Sequence, residues 1–170
     1  MNYWKHFKLI TTHKWYVMRE CFKVGLYWQG IVHDLSKYHP DEFITSAQYF
    51  HGEKTPINIE RANRGYSLVW LHHEHRNKHH WQYWLDIKGL DIITIPIPDK
   101  YILEMACDIV SASRTYGKEK YTREEPIKYV REHCHWRMDP KSEQKLILLL
   151  EFYALVEKID PTILKEIDCD

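Results

Sequence analysis

In the run Leu146-Ile-Leu-Leu-Leu-Glu-Phe-Tyr-Ala-Leu-Val156, almost every residue is apolar, which predicts a helix at the centre of the hydrophobic core. Asp139 and Pro140 are typical of the N-cap and the first position of that helix, and Pro161 marks its expected end. A helix needs about 20 apolar residues to cross a bilayer, so this shorter run predicts a core helix and not a membrane helix.

Helical periodicity extends over five further stretches, and together with the central helix they predict an all-α fold. The five stretches are residues 3–25, 40–52, 67–79, 98–116 and 125–135. Residues 52–65 are rich in turn formers and predict a surface connection. Residues 89–98, with β-branched residues and two prolines, predict an extended loop or one short ribbon. We expect one domain, residues 1–170, built as a bundle of about six helices.

The composition disfavours several classes of partner. Lys and Arg total 24, as do Asp and Glu, so no overall field attracts polyanions, and nucleic acid is not the expected partner. Lys5, His6 and Lys8 interrupt the apolar N-terminal residues, which does not predict a secretory signal. The four scattered cysteines form no CxxC pair, which predicts reduced and mostly buried thiols. They are Cys21, Cys107, Cys134 and Cys169. We expect a cytoplasmic protein without membrane contacts, and the oligomeric state stays open.

A group of histidines forms the first candidate metal site, since imidazole is the most common protein ligand for metals such as zinc and iron. Five of the chain's twelve histidines fall within nine residues: His72, His73, His75, His79 and His80. If residues 67–79 are helical, the first, third and fourth of these share one face, and the second and fifth form a pair seven residues apart. The alternative is a polar surface helix on which histidines cluster by chance.

Other candidate ligands are spread along the chain. The dipeptide His33-Asp34 offers a nitrogen and a charged oxygen, a donor set that suits Zn, Fe or Mn, although chance adjacency would explain the pair alone. His13 lies within the apolar stripe of the first helix, where a buried core histidine is the more common explanation. Glu104 and Asp108 lie four residues apart beside another apolar stripe, and by themselves they favour solvated positions.

The order of these residues resembles the HD superfamily of metal-dependent phosphohydrolases, which are all-α proteins. The resemblance covers residues 10–116. It implies one metal ion bound by His13, His33, Asp34 and Asp108. Residues 33–37 and 72–74 are similar to motifs of the HD subfamily that cleaves cyclic dinucleotides. Ser36 replaces the glycine of that subfamily and its Gly-Tyr-Pro element is missing, so we do not expect its specificity. Residues 33–37 and 76–84 are also similar to an uncharacterised family of small bacterial and phage proteins.

The resemblance further implies a second ion, which some HD families bind through additional histidines. We expect His73, His79 and His80 to reach it, because the helix should fray at residues 77–78, and Asp34 to bridge the two ions. The expected cofactor is therefore one or two divalent ions of Fe, Mn or Zn.

The implied activity is hydrolysis of a phosphomonoester or phosphodiester in a nucleotide or another small phosphorylated compound. A divalent ion would lower the pKa of a bound water and polarise a phosphoryl oxygen. Asp34 and Lys37 are the expected catalytic residues. The expected substrate contacts are Lys37, Arg76 and Trp81, with Trp84 and Arg114 as further candidates.

Two other classes remain open. A minority of HD-fold proteins are di-iron oxygenases, and iron specificity with oxygen consumption would identify one. A non-catalytic helical protein would hold a structural metal or none. A treble-clef-like nuclease is disfavoured because the strands and cysteines of such a fold are missing.

Overall fold

Nine α-helices and one β-hairpin form the part of the chain that the computed structural model describes, residues 2–52, 55–133 and 137–167. The helices are α1 (Tyr3–Lys23), α2 (Tyr27–Val32), α3 (Pro40–Tyr49), α4 (Pro56–Arg64), α5 (Leu68–Glu74), α6 (Asp99–Gly117), α7 (Glu125–His133), α8 (Pro140–Val156) and α9 (Ile163–Ile167). The structure is 70% helical, so the predicted all-α class is confirmed, with more and shorter helices than the six expected.

Helix α8 lies at the centre of the core, as its apolar run predicts. Leu146, Leu149 and Leu150 are fully buried, and α8 packs against α6 and α7. Each such leucine contributes about 1.5–3 kcal/mol through the apolar surface that it removes from water.

The two ends of α8 are set by local backbone contacts. At the start, the Asp139 carboxylate accepts a hydrogen bond from the Ser142 N–H at 2.9 Å, which confirms the predicted N-cap. At the other end, Glu157 adopts a left-handed conformation with φ of 56°. The helix therefore ends at Val156, and the predicted end at Pro161 was wrong.

Helix α1 packs against both α6 and α2, and its predicted apolar stripe is confirmed, with Ile10, Val17 and Cys21 buried. Gly30 allows α2 to approach closely, because an added Cβ there would lie 3.0 Å from the Cys21 Cβ. The close approach places the end of α2 beside the middle of α1, where His13 lies.

The predicted surface connection over residues 52–65 was wrong, because most of it is helix α4. Pro56 occupies the first turn, and Gly65, with φ of 82°, ends the helix. The buried face of α4 carries Glu60, which is fully buried. Its carboxylate accepts a 2.6 Å hydrogen bond from the Ser67 hydroxyl. Because the charged residue Glu60 occupies this inner face, the apolar periodicity that would have predicted the helix is interrupted.

The predicted ribbon is present as the antiparallel strands β1 (Leu85–Lys88) and β2 (Asp91–Thr94). It begins four residues before the predicted stretch. Helix α7 starts at Glu125 as predicted, and its expected end at residue 135 lies outside the described residues.

Cys21 and Cys107 are buried free thiols, as predicted. Cys134 and Cys169 lie outside the described residues. Among the helices of the described ranges, none combines the length and the apolar character that a membrane span requires.

Candidate metal centre

His33 and Asp34 lie at the sharp turn where α2 ends and a 3-10 helix (Leu35–Tyr38) begins. The Lys14 ammonium of α1 donates to the His33 carbonyl at 2.8 Å and holds this turn against α1. Asp34 adopts a left-handed conformation (φ 53°, ψ 26°), which Asp tolerates better than most side chains. Both residues are almost completely buried. Uncommon backbone of this kind is concentrated at functional sites.

Two side chains from other helices join this turn. The His13 Nε2 atom of α1 lies 2.9 Å from Asp108 Oδ1 of α6. The His33 Nε2 atom lies 3.3 Å from Asp34 Oδ2 and 3.6 Å from Asp108 Oδ1. The structure therefore brings together, within the reach of one ion, the four residues of the first predicted ligand set.

A second group forms on the other side of Asp34. The Nε2 atoms of His73 and His79 lie 3.3 Å and 3.4 Å from Asp34 Oδ1. His80 completes this group, in which one donor atom from each of the four residues lies within 4.8 Å of the others. Asp34 thus presents Oδ2 to the first group and Oδ1 to the second.

Two buried carboxylates contact the rear nitrogens of these histidines. The Glu104 Oε1 atom lies 3.0 Å from His33 Nδ1 and 3.3 Å from His79 Nδ1. The Glu42 Oε2 atom lies 2.9 Å from His73 Nδ1. A carboxylate in this position fixes the ring orientation and leaves Nε2 free to bind an ion.

Sequence reasoning missed the roles of both carboxylates. The expectation that Glu104 is solvated was wrong, because it is only 5% exposed and faces two histidines. Its position one helical turn before Asp108 was the signal that could have indicated it. Glu42 lies beside Asp41 in the first turn of α3, and no periodic signal in the sequence distinguishes the two.

Several buried donor atoms of the two groups make no hydrogen bond within the described residues. They are His33 Nε2, His79 Nε2, His80 Nε2 and Asp34 Oδ1, whereas Asp34 Oδ2 contacts the Lys37 ammonium. Buried polar atoms are normally hydrogen-bonded, and these converge on one space. Nitrogen and carboxylate donors in this combination fit Zn, Fe or Mn.

The electrostatics of the site also fit a cation. Burial opposes ionisation of Asp34, yet the neighbouring charges of His33, Lys37 and His73 hold its pKa well below the usual range. Burial opposes ionisation of Asp108, but the neighbouring His13 and His33 hold its pKa well below the usual range, so both carboxylates are ionised. Burial and the charges of His79 and His73 lower the pKa of His80, which leaves its ring neutral and able to act as a ligand.

Lys37 is the only lysine in the described ranges that forms an ion pair with these groups. Its Nζ atom lies 2.5 Å from Asp34 Oδ2, and its side chain is 28% exposed. Burial opposes its charge, but Asp34 and Asp108 raise its pKa above the ordinary value. Lys37 therefore remains protonated at the edge of the site.

The remaining histidines of the predicted cluster lie elsewhere. The predicted common face of His72, His75 and His79 was wrong, because α5 ends at Glu74. His75 is exposed. His72 is partly buried, with Nδ1 3.0 Å from Glu42 Oε1 and Nε2 3.3 Å from Asp41 Oδ2.

The predicted substrate contacts lie at varied distances from the site. The Arg76 guanidinium contacts His72 Nδ1 at 2.8 Å and is largely exposed. Trp81 and Trp84 are partly buried against the hydrophobic core. Arg114 forms ion pairs with Glu20 and Glu157 and not with the two groups.

Comparison with known proteins identifies the family of this chain, and the function of that family is unknown. A family model described as a family of unknown function (DUF5662) matches residues 2–152. No curated protein and no solved structure matches the chain. The expectation of an uncharacterised family is confirmed, and the HD resemblance stays a prediction.

Proposed function

We propose that this chain, which belongs to the DUF5662 family, is a metal-dependent phosphohydrolase that acts on a nucleotide or another small phosphorylated compound. The observation that carries the proposal is the position of Asp34 between two groups of ligands. Its two oxygens face His33 and His73 on opposite sides at the same 3.3 Å distance from Nε2. A bridging carboxylate is the feature that two-metal hydrolases use to hold their ions close together.

The ligand sets assign a role to each side chain. His13, His33 and Asp108 with Asp34 would hold one ion, and His73, His79 and His80 with Asp34 the other. When bound, the ions lower the pKa of a water molecule and polarise a phosphoryl oxygen. The ligand order along the chain, which resembles the HD superfamily, supports the same assignment.

Lys37 is the side chain that would contact the transferred phosphate. Its ammonium is protonated, partly exposed and tied to Asp34, so a short movement of the flexible side chain would bring it to a phosphoryl oxygen. A fixed positive charge beside the reacting group stabilises the negative charge that develops during hydrolysis. Arg76 and Trp81 stay as proposed contacts at the outer edge.

The interior thiols support a cytoplasmic location, which we also propose. Cys21 and Cys107 are both buried and reduced, and burial together with a hydrogen bond to Cys21 raises the pKa of the Cys107 thiol. Two adjacent thiols persist unoxidised in a reducing compartment.

The test begins with elemental analysis of protein purified without a histidine tag. Hydrolysis of para-nitrophenyl phosphate, its bis-ester and a panel of nucleotides is then measured with added Mn, Fe, Co or Zn. We expect about two ions per chain and metal-dependent phosphate release. An Asp34→Ala variant should lose both, whereas a His75→Ala variant, in which an exposed histidine is removed, should keep both.

Two outcomes would overturn the proposal. Protein that holds no transition metal after reconstitution would be a non-catalytic helical protein. Protein that holds only iron, consumes oxygen and releases no phosphate would be an oxygenase of the alternative class.

A further inference from the structure

A groove of about 1100 Å³ lies between the N-terminal half of α1 and the C-terminal end of α6. Lys5, Lys8 and Tyr16 line it from α1, and Tyr116 and Lys118 line it from the end of α6 and the turn that follows. This volume exceeds what a single phosphate group needs and matches sites for larger organic ligands.

The groove adjoins the candidate metal centre. Thr12, in its wall, directly precedes His13. The two helices that line the groove meet at this centre, where His13 Nε2 lies 2.9 Å from Asp108 Oδ1, and Thr115 of the groove wall lies about two helical turns beyond Asp108. A ligand in the groove can therefore extend one end toward His13 and Asp108.

The charge of the groove is positive. Lys5, Lys8 and Lys118 form no ion pair with a carboxylate of the described residues, whereas the fourth cation, Arg114, is paired with Glu20 and Glu157. Glu119 is the one acidic residue in the described lining. Three ammonium groups around one cavity, none of them ion-paired with a described carboxylate, favour an anionic ligand, even though the chain as a whole is neutral.

Lys118 occupies a backbone conformation that normally favours glycine, with φ of 50° and ψ of −122°. A lysine retained there stabilises the fold less than glycine would. Such strain is found at ligand-binding positions, where the side chain is needed for another purpose.

We propose that this groove binds the non-reacting part of the substrate, and that the substrate is a nucleotide with at least two phosphate groups. The inference rests on the proposed function. One phosphate lies at the metal centre, Lys5, Lys8 and Lys118 contact the other, and the base packs against Tyr16 or Tyr116. The aromatic rings and the separated positive charges together match this class better than they match a simple phosphate ester.

The first experiment measures binding of ADP by calorimetry, in the presence of a chelator, to the wild type and to an Asp34→Asn variant. Without ions, binding reports the groove alone. We expect both proteins to bind ADP, and Lys8→Glu to weaken binding at least about tenfold. Lys88→Glu, which makes the same charge change on the exposed hairpin, is the matched control and should bind as the wild type does.

If Lys8→Glu and Lys88→Glu bound ADP with equal affinity, or if the wild type did not bind ADP, the proposal that this groove binds the substrate would be wrong. Failure of the proposed function looks different, because ADP would still bind in a lysine-dependent manner while no phosphate was released.

The second experiment uses Lys118→Gly, which relieves the backbone strain and removes the charge. We expect a higher melting temperature together with weaker ADP binding. A lysine with a purely structural role would not give these opposite changes. In steady-state assays, Lys8→Glu should raise KM for ADP, whereas Lys88→Glu should leave it unchanged.

Discussion

The carboxylate of Glu104 contacts His33, with its Oε1 atom 3.0 Å from the ring Nδ1. The same oxygen lies 3.3 Å from His79 Nδ1, so one carboxylate orients one histidine from each ligand group. Because the Nδ1 atom of each ring faces Glu104, both Nε2 atoms face Asp34. The two ligand groups therefore share two carboxylates. Asp34 lies between the groups, and Glu104 lies behind one ring of each group.

Glu104→Gln should weaken metal binding without removing a ligand. The amide keeps the size of the side chain, but it has no charge and cannot accept hydrogen bonds from two imidazole rings as the carboxylate does. Loss of such a partner typically lowers metal affinity about 10–100-fold. The measurement is competition with a chromogenic chelator. Glu132→Gln on the exposed face of α7 is the control, and equal affinities of the two variants would mean that Glu104 only fills space.

Asp34→Asn and Asp34→Ala should both lose the ions but differ in stability. Asn tolerates the left-handed backbone of residue 34, whereas Ala is strained there by about 1 kcal/mol or more. In chelator, the free energy of unfolding of the Asn variant should exceed that of the Ala variant by about this amount. The reverse order in urea titrations would contradict the described backbone.

Asp108→Asn and His80→Ala should each remove one ion only. Asp108 belongs to the group with His13, and His80 to the group with His73, while Asp34 serves both. Elemental analysis should therefore give about one ion per chain in either variant and none in Asp34→Ala. Loss of both ions in each single variant would show that the two groups form one undivided site.

The sequence predicted the helices with a clean apolar stripe, such as α1 and α8, because burial and periodicity coincide there. It failed at α4 and at Glu104, where a carboxylate occupies the inner face and its partners come from distant parts of the chain. The role of Glu104 is apparent only in the folded protein, where it contacts His33, which is 71 residues away in the sequence.

The structure groups His73, His79 and His80 with Asp34, the three histidines that the sequence predicts, but the sequence did not predict the end of α5, which lies at Glu74 and not at residues 77–78. Its last turn is closed by Asn77, whose side-chain amide donates to the His73 carbonyl at 2.8 Å. The chain then turns, which separates His75 from His79 and brings His79 and His80 inward. Hydrophobic periodicity in the sequence does not indicate a polar contact of this kind.

Glu60→Ala should destabilise the protein by about 2–4 kcal/mol. The buried carboxylate accepts hydrogen bonds from the Ser67 hydroxyl at 2.6 Å and from the backbone N–H groups of Leu68 and Val69 at the start of α5. Removing it leaves the buried Ser67 hydroxyl and the buried Val69 N–H without this acceptor. Chemical denaturation provides the measurement.

Glu60→Gln, which retains one acceptor, should lose less stability than Glu60→Ala. Because α5 carries His73, metal affinity should fall in the same order as stability. Unchanged stability in Glu60→Ala would mean that water replaces the carboxylate.

His6 should make the stability of the protein depend on pH between about 6.5 and 4. Its ring lies between Phe43 and Phe50, and burial together with the charge of Lys37 lowers its pKa from 6.5 to about 4. Between these values the unfolded chain binds more protons than the folded one. The contribution is therefore fully present above pH 6.5 and is lost, up to about 3 kcal/mol, as the pH falls toward 4.

The measurement compares His6→Leu with the wild type in chelator, so that histidines near the metal centre titrate equally in both. The free energy of unfolding of the wild type should fall more steeply on acidification than that of His6→Leu. His75→Leu, at an exposed histidine, should follow the wild type closely. Parallel curves for the wild type and His6→Leu would show that the ring is hydrated in the folded protein, because only a desolvated imidazole resists protonation in this way.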